Sequence, residues 1–114
     1  MPTPFQEAVY AALELIPKGS VTTYGAIADY LGTKAVRAVG NAVAGNPFAP
    51  EVPCHRVVPA GGKIGNYSGE GGVETKIRLL KEEGVFVKDG RIVAFEQHKY
   101  VFEINHEASL KKQP

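Results

Sequence analysis

The sequence predicts a mostly α-helical fold that carries one small β hairpin and has a helix-turn-helix at its centre. Three observations predict it. Apolar residues recur at helical spacing in four segments, residues 5–16, 24–31, 34–44 and 73–83. Gly32 joins the second and third segments through a tight turn, as in a helix-turn-helix. Asp89-Gly90 stands between two β-prone runs, residues 85–87 and 91–95, which is a strong hairpin signal.

The first helix starts with Thr3 as N-cap, Pro4 at the first helical position and Gln6 closing a capping box. Phe5, Ala8, Val9, Ala12, Leu13 and Ile16 form its buried stripe, and Pro17-Lys18-Gly19 ends it. Residues 21–24 read as a short extended piece, with Thr22 or Thr23 capping the helix that follows. Ile27, Ala28 and Leu31 point inwards, and Gly32 supplies the left-handed residue that stops this helix. Thr33 then caps a helix over residues 34–44, with Val36, Val39 and Val43 on its buried side. Arg37 and Asn41 share a different face of it, four residues apart.

Residues 48–53 form a Pro-rich connector. Residues 59–72 form a loop with six glycines that lets backbone approach a ligand, with Tyr67 and Ser68 as its polar groups. It lacks the Gly-Lys-Ser/Thr ending of a phosphate-cradling loop and is not a dinucleotide fingerprint. In the helix over residues 73–83, Val73, Ile77 and Leu80 share a stripe. Glu83 follows Leu79 and Leu80 by four and three residues, which places it to reach inwards. After the hairpin, Tyr100, Val101, Phe102 and Ile104 suggest packing against the domain, and the final Lys111-Lys112-Gln113-Pro114 reads as disordered.

At 114 residues the chain is read as one domain, with an apolar fraction of 44% and a charged fraction of 22% that suit a globular protein. No apolar run approaches membrane-spanning length, and Met1-Pro2-Thr3-Pro4 lacks the basic-then-apolar pattern of a signal peptide. A single cysteine makes no internal disulfide, and no paired-cysteine zinc spacing is present, so no metal is expected. The net charge of +1 leaves nucleic acid open, because a small site needs only a few well-placed cations.

That single cysteine lies in Val52-Pro53-Cys54-His55-Arg56-Val57-Val58. Pro53 fixes one torsion and biases Val52 towards extended backbone, so the sulfur sits at a defined bend. A histidine and an arginine beside a thiol favour the thiolate, the reactive form. The same residue can also be a small buried apolar filler.

Pro53-Cys54-His55-Arg56 follows Gly45-Asn46-Pro47 and precedes Gly65-Asn66-Tyr67-Ser68-Gly69. With Lys34-Ala35-Val36-Arg37-Ala38-Val39-Gly40 before them and Leu79-Leu80-Lys81-Glu82-Glu83-Gly84 after, the chain resembles the O6-alkylguanine-DNA alkyltransferases, the methylated-DNA–protein-cysteine methyltransferases. The resemblance spans residues 5–84 and implies a winged-helix-like helix-turn-helix DNA-binding domain. It implies that Cys54 accepts the alkyl group, that His55 takes its proton through a water, and that Glu83 orients and charges that histidine. Tyr24 would donate to the flipped guanine, the backbone of Ser68 would receive its O6, and carbonyls of Cys54 and Val57 would accept its exocyclic amine. Val43 and Tyr67 would line the base pocket. Arg37 would enter the base stack, Lys34, Asn41 and Thr23 would contact DNA, and Asn46 would brace the recognition helix against the active-site turn.

The resemblance further implies single-turnover transfer with no cofactor. The partner would be double-stranded DNA carrying O6-alkylguanine, approached from the minor groove by a monomer in the cytoplasm, on the nucleoid in a prokaryote. The family's usual N-terminal domain would be missing, with residues 85–114 adding the hairpin and a tail. In both respects the chain is also similar to the compact alkyltransferase-like proteins, which bind alkylated DNA but have lost the cysteine. A lesion sensor is therefore the alternative, and Cys54 argues for transfer. A transcription regulator would leave the cysteine motif unexplained, and a cysteine hydrolase would have to release an acyl intermediate.

Overall fold

Two short extended segments, distant in sequence, hold the helices in place. In the computed structural model, which describes residues 2–103, β1 (Thr22–Thr23) pairs in parallel with β2 (Val57–Val58), Thr22 opposite Val57 and Thr23 opposite Val58. Val21 continues the pairing on its other side: its N–H donates to His98 O at 2.9 Å, and its carbonyl accepts from Tyr100 N at 2.7 Å. Successive strand residues point to opposite faces. Val57 accordingly enters a core built from α1 (Pro4–Glu14), α2 (Tyr24–Leu31) and α3 (Val36–Ala44). Val58 enters a second cluster with Val21, Leu80, Val85 and Ile92.

The helix starts follow local chemistry. Thr3 and Gln6 form the expected capping box, at 2.8 and 3.1 Å. Thr23 is the N-cap of α2, its Oγ1 accepting from Ala26 N at 3.1 Å, so Tyr24 is the first helical residue and not part of the strand. Gly32 ends α2 at φ +74°, in the left-handed region where a Cβ is costly. Helices α2 and α3 around this corner form the helix-turn-helix.

Several boundaries differ from expectation. Helix α1 stops at Glu14, two residues before Ile16. Helix α3 starts at Val36, not Lys34, because Ala35 is non-helical (φ −81°, ψ 64°) and Thr33 Oγ1 accepts from Ala35 N instead of capping. Val36, expected inside, is 43% exposed. Helix α4 spans Gly72–Glu82, with Glu83 as its C-cap residue, and its stripe buries Lys76 and Leu80 while Val73 and Ile77 are only half-buried.

The hairpin forms as read but is shorter. β3 (Val87–Lys88) pairs antiparallel with β4 (Arg91–Ile92) around Asp89 and Gly90, at φ +52° and +76°. The second run does not continue to Phe95 as a strand. Ala94 turns left-handed (φ +56°), and Phe95–His98 form a short helix, α5, that the sequence reading missed. Phe95 packs onto Gly62, where a Cβ would lie 2.7 Å from its ring, at a φ of +84° that itself favours glycine. Phe102 is buried in the main core and stacks on Tyr30 at 4.7 Å, with Tyr100 edge-on at 5.0 Å. Of the residues expected to pack against the domain, Tyr100 and Phe102 do so, whereas Val101 is 75% exposed. Ile104 and the terminal stretch read as disordered lie outside the described residues.

Candidate active site

Cys54 opens a 3₁₀ turn, Cys54–Arg56, between the connector and β2. The turn is fixed from both ends. Behind it, Asn46 Nδ2 donates to Val52 O at 2.8 Å, while Asn46 Oδ1 accepts from Phe48 N at 2.9 Å. Ahead of it, β2 is locked to β1. One buried amide therefore ties the residues just after α3 to the entry of the cysteine turn.

Cys54 lies on the wall of a cavity of about 580 Å³. Tyr24, from the first turn of α2, and Val36, Arg37, Gly40, Asn41, Val43 and Ala44, from α3, line one side. Asn66, Tyr67 and Ser68 of the glycine-rich loop line the other. Seven of the residues singled out from sequence thus meet on one surface: Tyr24, Arg37, Asn41, Val43, Cys54, Tyr67 and Ser68. The Ser68 hydroxyl donates to Ala44 O, joining the loop to the last turn of α3. At Gly69 a Cβ would sit 2.5 Å from the Tyr67 ring, so glycine is what makes room for that ring.

His55 and Glu83 are not among the residues that line the cavity. His55 Nε2 is 3.1 Å from Glu83 Oε2. A carboxylate only accepts, so Nε2 carries the proton and Nδ1 presents a lone pair. That Nδ1 is buried and has no hydrogen-bond partner among the described residues. Burial pulls the His55 pKa below the ordinary 6.5, and the opposing pull of Glu83 does not restore it, so the ring is a neutral base at pH 7. Burial alone would raise the Glu83 carboxyl. Hydrogen bonds and charge from Arg56 and His55 outweigh it and hold the pKa below 4.5.

Arg56 is the partner of Glu83 that the sequence reading missed. Its Nε donates to Oε1 at 2.9 Å and its Nη2 to Oε2 at 2.6 Å, while Nη1 donates to Ile16 O at 2.6 Å. This corrects the expectation that the arginine favours a thiolate at Cys54, since its fork is spent on Glu83 and on the Ile16 carbonyl just past α1. Burial pushes the Cys54 thiol up instead. The Asn46 amide, a backbone hydrogen bond in the turn and the charge of Lys76 oppose this without prevailing. At rest the sulfur is a thiol that needs a base.

Lys76 was also missed. It has no exposed surface, and its Nζ donates to Val57 O, Ile64 O and Asn66 O at 2.8, 2.6 and 3.1 Å. Burial brings its pKa down to about 8. The signal was present, because position 76 falls on the stripe of Val73 and Leu80, but a lysine there reads as solvated.

Three more of the expected contact residues, Val57, Thr23 and Lys34, are not on the cavity lining. The Val57 carbonyl already accepts from Lys76, and Val57 is wholly buried and off the cavity wall. Thr23 uses its hydroxyl as the α2 cap. Lys34 is exposed just ahead of α3, outside the cavity lining. Tyr24 and Tyr67 keep their phenol protons, their pKa values raised by burial and by Cys54.

Comparison with known proteins gives one result throughout. Residues 4–85 match the model of the DNA-binding domain of 6-O-methylguanine DNA methyltransferase. A methylated-DNA–protein-cysteine methyltransferase of Methanosarcina acetivorans is 51% identical over 83 residues, 72% of this chain and 52% of that protein. The Mycobacterium tuberculosis OGT crystallised with DNA superposes with a TM-score of 0.68 at 48% identity, covering 73% of this chain and 51% of that one. S. pombe Atl1, in complex with damaged DNA containing O6-carboxymethylguanine, superposes at 0.72 with 30% identity, covering 88% and 98%. The chain spans about half the length of the curated relatives it matches.

Proposed function

This chain belongs to the 6-O-methylguanine DNA methyltransferase family, and from that premise we propose that it repairs DNA by moving an alkyl group from O6 of guanine onto Cys54. Duplex DNA docks on α3 through the minor groove, and the damaged nucleotide leaves the stack for the cavity at a cost of a few kcal/mol. Arg37, exposed at the cavity rim, fills the space it vacates.

The observation that carries this reading is the buried His55–Glu83 pair in the turn that Cys54 opens. Cys54 lines the cavity, and the neutral ring of the next residue has one nitrogen fixed by a carboxylate and the other buried with no partner among the described residues. In the reaction the thiol proton passes through a water to His55 Nδ1. The sulfur pair forms the new S–C bond as the C–O6 bond breaks, and its electrons return to the guanine, which Tyr24 protonates or hydrogen-bonds. Glu83 stabilises the resulting imidazolium. The product is a thioether with no group placed to hydrolyse it, so each molecule acts once. The chain needs no cofactor for this step.

The match in length with S. pombe Atl1 brings the sensor reading to mind. Higher identity to the methyltransferases and the presence of Cys54 weigh against it. The test is intact mass after mixing with a duplex carrying one O6-methylguanine, followed by peptide mapping. One methyl on the Cys54 peptide per molecule is expected. Lesion-selective binding with no change in mass overturns transfer.

A further inference from the structure

Lys76 is the largest fully buried side chain of the described residues, and it is charged. Its three carbonyl partners belong to two different parts of the site. Val57 directly follows the cysteine turn, while Ile64 and Asn66 lie in the loop that presents Tyr67 and Ser68 to the cavity. An ammonium has three donors and these carbonyls use all of them, whereas a neutral amine would turn its lone pair towards an oxygen. The geometry is that of the protonated form. Among the described residues no carboxylate lies within ion-pair distance of it.

The charges around it are few. The Glu83 carboxylate is neutralised by Arg56 and takes a hydrogen bond from the neutral His55. Tyr24 and Tyr67 remain phenols. Cys54 is the one group whose negative form favours the Lys76 ammonium, and Lys76 in turn favours the thiolate.

We propose that Lys76 is a positioning residue for the transfer. Its buried ammonium clamps the cysteine turn to the glycine-rich loop and serves as the counter-charge of the Cys54 thiolate formed during reaction. This rests on the reading of Cys54 as the nucleophile. When the sulfur pair becomes an S–C bond, the negative charge departs with the guanine, and the ammonium returns to the uncharged surroundings it has beside the resting thiol.

Two measurements on the full chain test this without DNA. The first is the pH–rate profile of Cys54 carbamidomethylation by iodoacetamide, followed by intact mass, for wild type and Lys76→Met. Loss of the counter-charge should cut the rate at pH 7 by about tenfold and move the profile to higher pH. Superimposable profiles overturn the proposal. The second uses wild type alone, so it stands even if the variant fails to fold: the same reaction rate is followed through and beyond about pH 8, where Lys76 loses its proton. A profile that bends below a single-ionisation curve as the ammonium is lost supports the proposal, and a profile described by one ionisation overturns it. Absence of methyl transfer from an O6-methylguanine duplex would count against the repair reading alone, because neither measurement uses that reaction.

Discussion

His55 Nε2 and Glu83 Oε2 stand 3.1 Å apart although 28 residues separate them in the chain, and the same oxygen takes Arg56 Nη2 at 2.6 Å. The carboxylate therefore has two roles, orienting the base and neutralising a nearly buried guanidinium. Glu83→Gln should damage both. It leaves Arg56 uncompensated, at a cost of about 3 kcal/mol, read as a lower urea midpoint. It also removes the support for an imidazolium, shifting the pH–rate profile of transfer. An unshifted profile would show that His55 acts without Glu83.

Acid should destabilise the protein in two stages. His55 has a folded pKa below 6.5, so below that pH the unfolded chain binds a proton that the native state refuses. Glu83 has a folded pKa below 4.5. Its contribution is complete above that value and is lost as pH falls through the folded pKa. Both slopes have the same sign, so urea midpoints measured from pH 7 downwards should fall continuously, starting near 6.5. A flat midpoint between pH 7 and 5 would contradict the His55 assignment.

Cys54→Ser should abolish methyl transfer and leave lesion binding within about threefold, since a hydroxyl is a far weaker nucleophile but occupies similar space. Mass spectrometry and fluorescence anisotropy read the two effects. Any transfer to the variant would move the nucleophile elsewhere.

Arg37→Ala should slow repair in a duplex by about tenfold, or ~1.4 kcal/mol of the extrusion cost, while reaction with free O6-benzylguanine changes little. Single-turnover rates on both substrates check this. Equal losses would mean that Arg37 acts on the base and not on its departure from the stack.

Asn46→Ala should cost about 1–3 kcal/mol, because Val52 O and Phe48 N lose their partner in a largely buried site. Its effect on transfer should exceed its effect on DNA binding, as the cysteine turn is what it holds. Denaturation and single-turnover rates together separate the two.

The parts of this architecture legible in the sequence were those set by neighbours along the chain. Thr3 with Gln6, Gly32 and Asp89-Gly90 each encode a cap or turn within a few residues, and each formed as read. The resemblance located the residues that gather around Cys54. Other features depend on distant partners. A two-residue strand at Thr22–Thr23 has too little pattern to announce a parallel mate at Val57–Val58. Arg56 looked like a neighbour of the thiol because adjacency in sequence says nothing of where a long side chain turns. Lys76 was concealed by its own charge. Its burial depends on three carbonyls converging, which no local rule anticipates.

The family match ends at residue 85, yet the fold does not. His98 and Tyr100 hydrogen-bond both sides of Val21, and Phe102 seals the face of α2 at Tyr30. The border of the family model and the extent of the packed fold are thus different lines. A fragment cut at the first would uncover aromatic surface and an unpaired strand edge, the two features that most readily turn a soluble domain into an aggregating one.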